Sequence, residues 1–312
     1  MGHRALVIAN PASANGATGK RWGEIEAALN GVLERWEPRF TAKPMDAAAL
    51  ARRAVLDGFE MIVSIGGDGT MNEVVTGLFD EAGEGKLLRP GVVLATVRQG
   101  TGGDFARMLA QPGGLPEAAA HLAGEATRPC DLGFVSYEAH DGARGWRGFL
   151  NIASFGLSAV VVAKVNATSK ALGGRVSFFI GLMRGLIGYS PQAVRVRVDG
   201  VPFHEGTLIT CAVANGQYFG GGMRIAPRAT IDDGQLDVVL QVRRGFKEIF
   251  GVGDLYSGKS IDWPSVRSTR GREVIAEPVG AERVLIEIDG EQPGRLPAAL
   301  RVLPGAVQLK VR

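Results

Sequence analysis

The chain has 312 residues, of which 46% are hydrophobic and 21% charged, and its net charge is +3. This length supports two domains with cores of their own, and the composition excludes a disordered or fibrous chain. No long basic block accompanies the small positive charge, so no nucleic-acid partner is expected, whereas a mildly basic surface suits an anionic membrane.

The first part of the chain alternates strand and helix patterns. Arg4 to Ala9 reads as a strand and Gly19 to Leu33 as a helix. Pro38 to Ala42 is a short strand and Asp46 to Leu56 an alanine-rich helix. Met61 to Ile65 is a buried strand, followed by apolar Met71, Val74, Val75 and Leu78 at helix spacing. Val92 to Val97 is a strand, and Phe105 to Ala110 and Pro116 to Ala123 look helical. This alternation predicts a doubly wound, mainly parallel α/β sheet, with ligands beyond the carboxyl ends of its strands.

After Pro129 strands follow one another: Leu132 to Tyr137, Arg147 to Ile152, Val194 to Val198, Thr207 to Ala214, Gln235 to Val242 and Arg283 to Ile288. Several alternate, as in Val194-Arg195-Val196-Arg197-Val198, which predicts an antiparallel β-sandwich. Two helical stretches interrupt them, Ser158 to Leu172 and Val176 to Tyr189. The expected organisation is an α/β domain over 1–129 and a β-rich domain over 130–299. A last strand, Ala306 to Val311 within about 300–312, returns to the first domain. With no low-complexity linker, the two should pack closely around a cleft.

Cys130 and Cys211 lie far apart and in no CxxC, which fits a reducing cytoplasm rather than a disulfide framework or a zinc site. His3, His121, His140 and His204 form no metal-ligand spacing. The run Ala5 to Ala9 is too short for a signal peptide, and no stretch approaches the ~20 apolar residues of a spanning helix.

The most informative stretch is Ile65-Gly66-Gly67-Asp68-Gly69-Thr70-Met71-Asn72-Glu73-Val74-Val75. A buried strand empties into a glycine-rich turn and a helix N-terminus. The glycines let backbone N–H groups approach a ligand, and the helix end adds partial positive charge, so phosphate is the natural ligand. Asp68 would repel phosphate directly. It makes sense as an Mg²⁺ holder, as an acceptor for a ribose or other hydroxyl, or as a helix cap, a task Thr70 also suits.

Gly66 to Thr70 followed by Asn72-Glu73-Val74-Val75 resembles the nucleotide-binding signature of the diacylglycerol kinase catalytic family, which includes soluble bacterial lipid kinases and sphingosine kinases. The five-residue core is shared with NAD kinases and, in variant form, with phosphofructokinases. It implies ATP and phosphoryl transfer, and the continuation favours the lipid branch.

Further blocks extend the resemblance. Ala9-Asn10-Pro11-Ala12-Ser13-Ala14-Asn15-Gly16 resembles the family's loop beside the nucleotide phosphates, and Thr41 ends the second strand where members place a threonine. Gly16 and Gly19-Lys20 do not form a Walker A loop, because the spacing is wrong and Arg21 replaces Ser or Thr. Lys20 is either a phosphate contact or a solvated lysine. Gly100-Thr101-Gly102-Gly103-Asp104-Phe105-Ala106-Arg107 resembles Gly-Thr-x-Asn-Asp-Phe-Ala-Arg, with Gly103 in place of Asn. This implies Thr101 and Asp104 near the phosphates, and Asp104 also suits a helix cap.

Asp131 follows Pro129-Cys130, and the resemblance implies that it joins a water-bridged Mg²⁺ network at the domain interface. Asn215-Gly216, Gly220-Gly221-Gly222 and Ala226-Pro227 lead into Thr230-Ile231-Asp232-Asp233-Gly234-Gln235-Leu236-Asp237-Val238. In bacterial members this block holds a structural Mg²⁺, which implies the Asp233 side chain and the carbonyls of Thr230 and Gln235 as ligands. A metal-free Asp-Gly turn is the alternative.

Ile286-Glu287-Ile288-Asp289-Gly290-Glu291 ends an alternating strand in the Asp-Gly-Glu found at the family's catalytic base. Residues two apart on an extended chain point the same way. Of Asp289 and Glu291, one can take the acceptor's proton while the other orients it or holds Mg²⁺. The apolar stretch Val176 to Tyr189 is either an interfacial, substrate-gating helix or a core helix.

The resemblance thus implies an ATP- and Mg²⁺-dependent lipid kinase that phosphorylates a hydroxyl of diacylglycerol or a related lipid. ATP would lie on Gly66, Gly67, Asp68, Gly69 and Thr70, with Asn10, Thr41, Asn72, Glu73, Thr101 and Asp104 around it. Asp68, Asp289 and Glu291 would carry the chemistry, in a cytoplasmic protein that meets its lipid at the inner membrane face. The alternatives are an NAD kinase-like phosphotransferase and a nucleotide- or lipid-binding regulator without catalysis, which Gly103 alone favours.

Overall fold

Strands with apolar residues on both faces build the parallel half. The computed structural model describes residues 3–98, 103–109, 115–167, 189–242 and 251–311. Strands β1 (Ala5–Ala9), β2 (Trp36–Phe40), β3 (Met61–Gly66) and β4 (Val92–Arg98) run parallel in the order β4-β3-β1-β2. Between them lie α1 (Ala17–Lys20), α2 (Trp22–Asn30), α3 (Asp46–Leu56) and α4 (Asp68–Gly77), followed by α5 (Asp104–Met108) and α6 (Leu115–Ala120).

Side-chain alternation feeds two cores. Leu6, Ile8, Ile62 and Leu94 pack with α3 and α4 on one face. Val7, Met61, Val63 and Val93 pack with α2 and α6 on the other. Each fully buried Ile or Leu contributes about 1.5–3 kcal/mol, which explains why a parallel sheet covered on both faces reads as continuous apolar runs. Gly77 lets α4 lie against α3, since a Cβ there would strike the Ala48 carbonyl oxygen. The expected helix from Gly19 to Leu33 is broken at Arg21, where the backbone leaves the helical region.

The second half is antiparallel. It comprises β5 (Thr127–Ala139), β6 (Arg144–Phe149), β7 (Ile152–Gly156), β8 (Gln192–Val198), β9 (Val201–Leu208) and β10 (Thr210–Ala214). Next come the short β11 (Tyr218–Phe219) and β12 (Met223–Arg224), then β13 (Leu236–Gln241), β14 (Val266–Gly271), β15 (Glu273–Pro278), β16 (Leu285–Ile288) and β17 (Glu291–Lys310). Helix α7 (Leu157–Ala167) follows β7, and α8 (Val252–Ser257) precedes β14. One layer runs β14-β13-β10-β7-β16, and the other carries β9-β8-β15-β17-β5-β6. Phe149, Phe155, Val196, Val213, Ile286 and Leu300 belong to the buried core of this sandwich. The architecture is therefore the expected one, a parallel α/β core followed by a β-sandwich.

Strand β17 joins the halves. After pairing with β16 and β15 it places Val307–Leu309 parallel to Val92–Leu94 of β4. Its register against β5 shifts between Arg295 and Ala298 and between Leu303 and Val307, the two spans that contain Pro297 and Pro304. A proline has no N–H for the ladder, so the ladder skips there.

Three expectations need correction. The strand expected over Arg147 to Ile152 is two strands, β6 and β7, parted at Leu150-Asn151. The strand expected over Thr207 to Ala214 is parted at Ile209. Strands β14 and β15 were not expected at all. Most of the stretch Val176 to Tyr189, and the end of the helix expected to reach Leu172, lie outside the described residues. Among the described residues no helix is long and apolar enough to cross a membrane.

Candidate active site

All four parallel strands deliver their following loops to one edge: Asn10 after β1, Thr41 after β2, Gly67 after β3 and Gly103 after β4. The α4 N-cap, Gly67, is extended and no side chain caps the helix. The first-turn N–H groups therefore face outward without a side-chain acceptor, which suits an anion. Gly66 has to be glycine, because a Cβ would strike the Thr70 side chain. Asn10 ties the neighbouring loop in: its Nδ2 donates to Thr70 Oγ1 at 3.3 Å and its Oδ1 accepts from Ala12 N–H at 3.0 Å. Thr41 N–H donates to Ala9 O at 3.0 Å, which pins the end of β2 beside that loop. Asp68 Oδ2 accepts from Gly103 N–H at 2.8 Å and Asp104 N–H at 3.0 Å, so it clamps one glycine-rich turn to the other. Thr101 lies outside the described residues.

The turn between β16 and β17 reaches the same place from the sandwich. Asp289 and Gly290 both have left-handed backbones, at φ 46° and 88°. Asp289 Oδ1 accepts from Asn151 N–H at 3.1 Å and Ile152 N–H at 2.9 Å, and Oδ2 from Leu150 N–H at 2.9 Å and Asn72 Nδ2 at 3.0 Å. Burial pushes this carboxyl above its ordinary range, and those four donors offset the push only in part. Only an ionised carboxylate accepts from all four, and four donors fill its lone pairs. Asp289 thus holds the turn, with both oxygens committed to backbone and Asn72 donors. The other acid, Glu291, accepts no hydrogen bond among the described residues. Its Oε1 lies 3.3 Å from where a Gly69 Cβ would stand, against the N-terminus of α4.

Several expected ligands turn out to hold backbone instead. Asn72 is buried, donates to Gly148 O at 2.9 Å as well as to Asp289, and therefore braces the sandwich rather than a nucleotide. Glu73 Oε2 accepts from Ala47 N–H at 3.1 Å in the first turn of α3, so it ties α4 to the helix that follows Thr41. Asp104 Oδ2 accepts from Gly221 N–H at 2.8 Å and its Oδ1 pairs with Arg107, linking α5 to the triple-glycine loop. Burial and the Asp68 charge push the Asp104 carboxyl up. Asp131 accepts from Gly234 N–H at 2.6 Å and from Gly305 N–H at 2.7 Å. Gly305 lies where Pro304 interrupts the ladder, so Asp131 caps that interruption rather than joining Asp68 and Asp104.

The Asp233 carboxylate, expected to hold Mg²⁺, is engaged by protein donors. Its Oδ1 accepts from Gln235 N–H at 3.0 Å, and its Oδ2 contacts Thr230 Oγ1 at 2.6 Å and the Arg270 guanidinium. Arg270 Nε also reaches Asp237 at 3.3 Å. The carboxylate expected to hold the cation is thus paired with a guanidinium.

Two residues beside the site were not anticipated. Arg147 Nη1 lies 3.4 Å from Asn72 Oδ1. Glu287 is 2% exposed, contacts Ser154 Oγ, and accepts from Gly290 N–H at 3.0 Å. Burial pushes its carboxyl up to about 8, helped by the charges of Asp289 and Glu291. The one signal for it was an acid between Ile286 and Ile288, which alternation alone assigns to solvent.

Comparison with known proteins follows the same division of the chain. Residues 4–135 match the diacylglycerol kinase catalytic domain, and residues 151–311 match the YegS C-terminal NAD kinase beta sandwich-like domain. The diacylglycerol kinase of Bacillus subtilis is 27% identical, covering 94% of this chain and 91% of that one. A probable YegS-like lipid kinase of Pseudomonas aeruginosa is 31% identical, covering 93% and 91%. Among solved structures, a putative diacylglycerol kinase from Bacillus anthracis superposes with a TM-score of 0.77 at 24% identity, over 99% of this chain and 95% of that one. A yeast NADH kinase complexed with NADH shares the fold, with a TM-score of 0.52 at 10% identity over 100% and 84%. The chain belongs to the diacylglycerol kinase and YegS-like lipid kinase family, phosphotransferases with an alcohol group as acceptor.

Proposed function

We propose that the chain transfers the γ-phosphoryl group of ATP, with Mg²⁺, to a hydroxyl of a lipid, diacylglycerol or a close relative. The observation that carries this reading is the Glu291 carboxylate against Gly69 at the open end of α4. Phosphoryl transfer is mostly positioning and electrostatics, and needs donors for the phosphate oxygens and a base at the acceptor hydroxyl. The N–H groups of Asp68, Gly69 and Thr70 supply the donors, with Asn10 and Thr41 bordering the nucleotide. Glu291 takes the proton, because the oxygens of Asp289 are committed. Mg²⁺ would neutralise charge on the transferring group, and Asp68 is the hard oxygen donor that would face it. Asp289 and Asn72 keep the turn in place, and peripheral contact with the membrane brings in the lipid. The acceptor is supported by the relatives from Bacillus subtilis and Staphylococcus carnosus, both named diacylglycerol kinase.

The test is transfer of radiolabelled γ-phosphate from Mg-ATP to a panel in mixed micelles: diacylglycerol, a sphingoid base, ceramide, monoacylglycerol, phosphatidylglycerol, and NAD. Label on diacylglycerol is expected, with the rate lowered roughly 10²–10⁴-fold in Glu291→Gln. Label on NAD overturns the lipid reading. A Mg-ATP thermal shift without any product points to a binding protein. A loss below about tenfold in Glu291→Gln removes the base assignment.

A further inference from the structure

Behind the Glu291 turn lies a buried polar chain that the reaction as described does not use. Strand β16 turns Ile286 and Ile288 into the sandwich core and Glu287 to the opposite face, which α7 packs against. Glu287 Oε1 contacts Ser154 Oγ of β7. Ser154 Oγ lies 2.7 Å from Ser158 Oγ in the first turn of α7, and Ser158 Oγ lies 3.0 Å from Thr210 Oγ1 of β10. Thr210 Oγ1 in turn lies 3.3 Å from the Phe155 carbonyl oxygen. Ser154 is fully buried and Ser158 nearly so.

Proton counting favours one state of this chain. It has four oxygen–oxygen contacts and three hydroxyl protons, and its far end is a carbonyl that only accepts. All four contacts are hydrogen bonds only if the fourth proton comes from the Glu287 carboxyl. The other oxygen of Glu287 accepts the Gly290 N–H. That N–H belongs to a residue with a left-handed backbone, directly before Glu291.

We propose that Glu287 is a positioning residue for phosphoryl transfer: through Gly290 N–H it aims Glu291 at the end of α4, and through Ser154 and Ser158 it locks that aim to the first turn of α7. The proposal rests on the reading of Glu291 as the base. It acts through hydrogen bonds and not through charge, and the push of burial on the Glu287 carboxyl, up to about 8, agrees with the neutral form. The charged groups nearest it, Asp289 and Glu291, are acids that favour the same form.

The experiment compares wild type, Glu287→Gln, Glu287→Leu and Ser154→Ala by steady-state kinetics and by urea unfolding, with Glu291→Gln alongside. Gln accepts from Gly290 and donates to Ser154, so its kcat should stay within about threefold of wild type. Leu fills the space without either bond, so kcat should fall about tenfold to a hundredfold with the nucleotide KM unchanged. Ser154→Ala removes one link and should fall between them, and it decides the matter if Glu287→Leu does not fold. The proposal is overturned by a folded Glu287→Leu with wild-type kcat, by Glu287→Gln as damaged as Glu287→Leu, or by an unchanged Ser154→Ala. A wild type that labels no acceptor overturns the functional reading instead, and a Glu291→Gln enzyme as active as wild type overturns the base assignment.

Discussion

Asp289 offers the sharpest separation between holding the fold and doing the chemistry. Its carboxylate accepts from three consecutive backbone N–H groups, Leu150 to Ile152, and from the Asn72 amide. Removing it leaves four donors without an acceptor in a half-buried place. At about 1 kcal/mol each, the low end for an unsatisfied donor because water reaches part of the site, the loss is about 4 kcal/mol. Asp289 also has a left-handed backbone, which costs about 1–2 kcal/mol in alanine and nothing in glycine. Asp289→Gly is therefore the cleaner probe, since it relieves the backbone and loses only the carboxylate. Asp289→Asn is no rescue, because its NH₂ faces two of the four donors. Urea unfolding followed by tryptophan fluorescence reads the change, with Trp146 on β6 as reporter. If Asp289→Gly unfolds within about 1 kcal/mol of wild type while activity is abolished, Asp289 is a reacting group, and the assignment of it as a clamp is wrong.

Other consequences follow from the same geometry. Gly69→Ala places a Cβ 3.3 Å from Glu291 Oε1 and should lower kcat about tenfold, whereas Gly67→Ala meets no atom within 4 Å and should raise the nucleotide KM by crowding the helix end; the same kinetic pattern in both refutes the placement. Without nucleotide, Mg²⁺ or EDTA should leave the melting temperature of wild type unchanged, and Arg270→Leu should make it Mg²⁺-responsive by freeing Asp233 and Asp237; Mg²⁺ stabilising wild type alone refutes the replacement of the cation by arginine. For Glu287 the folded pKa, about 8, lies above the ordinary 4.5. Its contribution to stability is then full below pH 4.5 and lost as pH rises through about 8, by up to about 5 kcal/mol. Urea unfolding at both ends of that window should show wild type losing stability relative to Glu287→Gln, and parallel curves would contradict a buried neutral acid.

The parallel half was legible because its inner strands β1, β3 and β4 are apolar on both faces and the turn after β3 carries glycine where a helix must start against a strand. Gly66 shows why: no other residue clears Thr70. The sandwich was less legible, for a physical reason that differs from strand to strand. Only Ala306 to Val311 read as a strand here, yet β17 spans 20 residues, because pairing with β5 and β15 carries it past Pro297 and Pro304 with a register shift at each. Leu150-Asn151 read as strand, yet the ladder breaks there because Asp289, more than a hundred residues away, takes its N–H groups. Glu287 alternated correctly to the outer face, and only the packing of α7 turns that face into an interior. Arg270 belongs to no motif, and its place between Asp233 and Asp237 follows from the pairing of β13 with β14.

The distribution of acids supports the proposed assignment of the base. A buried carboxylate is tolerated when donors satisfy it, and this chain satisfies its acids with backbone N–H groups from the opposite segment. Asp68 takes those of Gly103 and Asp104, Asp104 that of Gly221, Asp131 those of Gly234 and Gly305, and Asp289 those of Leu150 to Ile152. Each clamp joins loops far apart in sequence, so these acids work as fasteners between loops. A fastener cannot also accept a proton without releasing what it holds. Among the acids of the site, Glu291 alone carries no such duty among the described residues, and it is the one set against a glycine at an uncapped helix end.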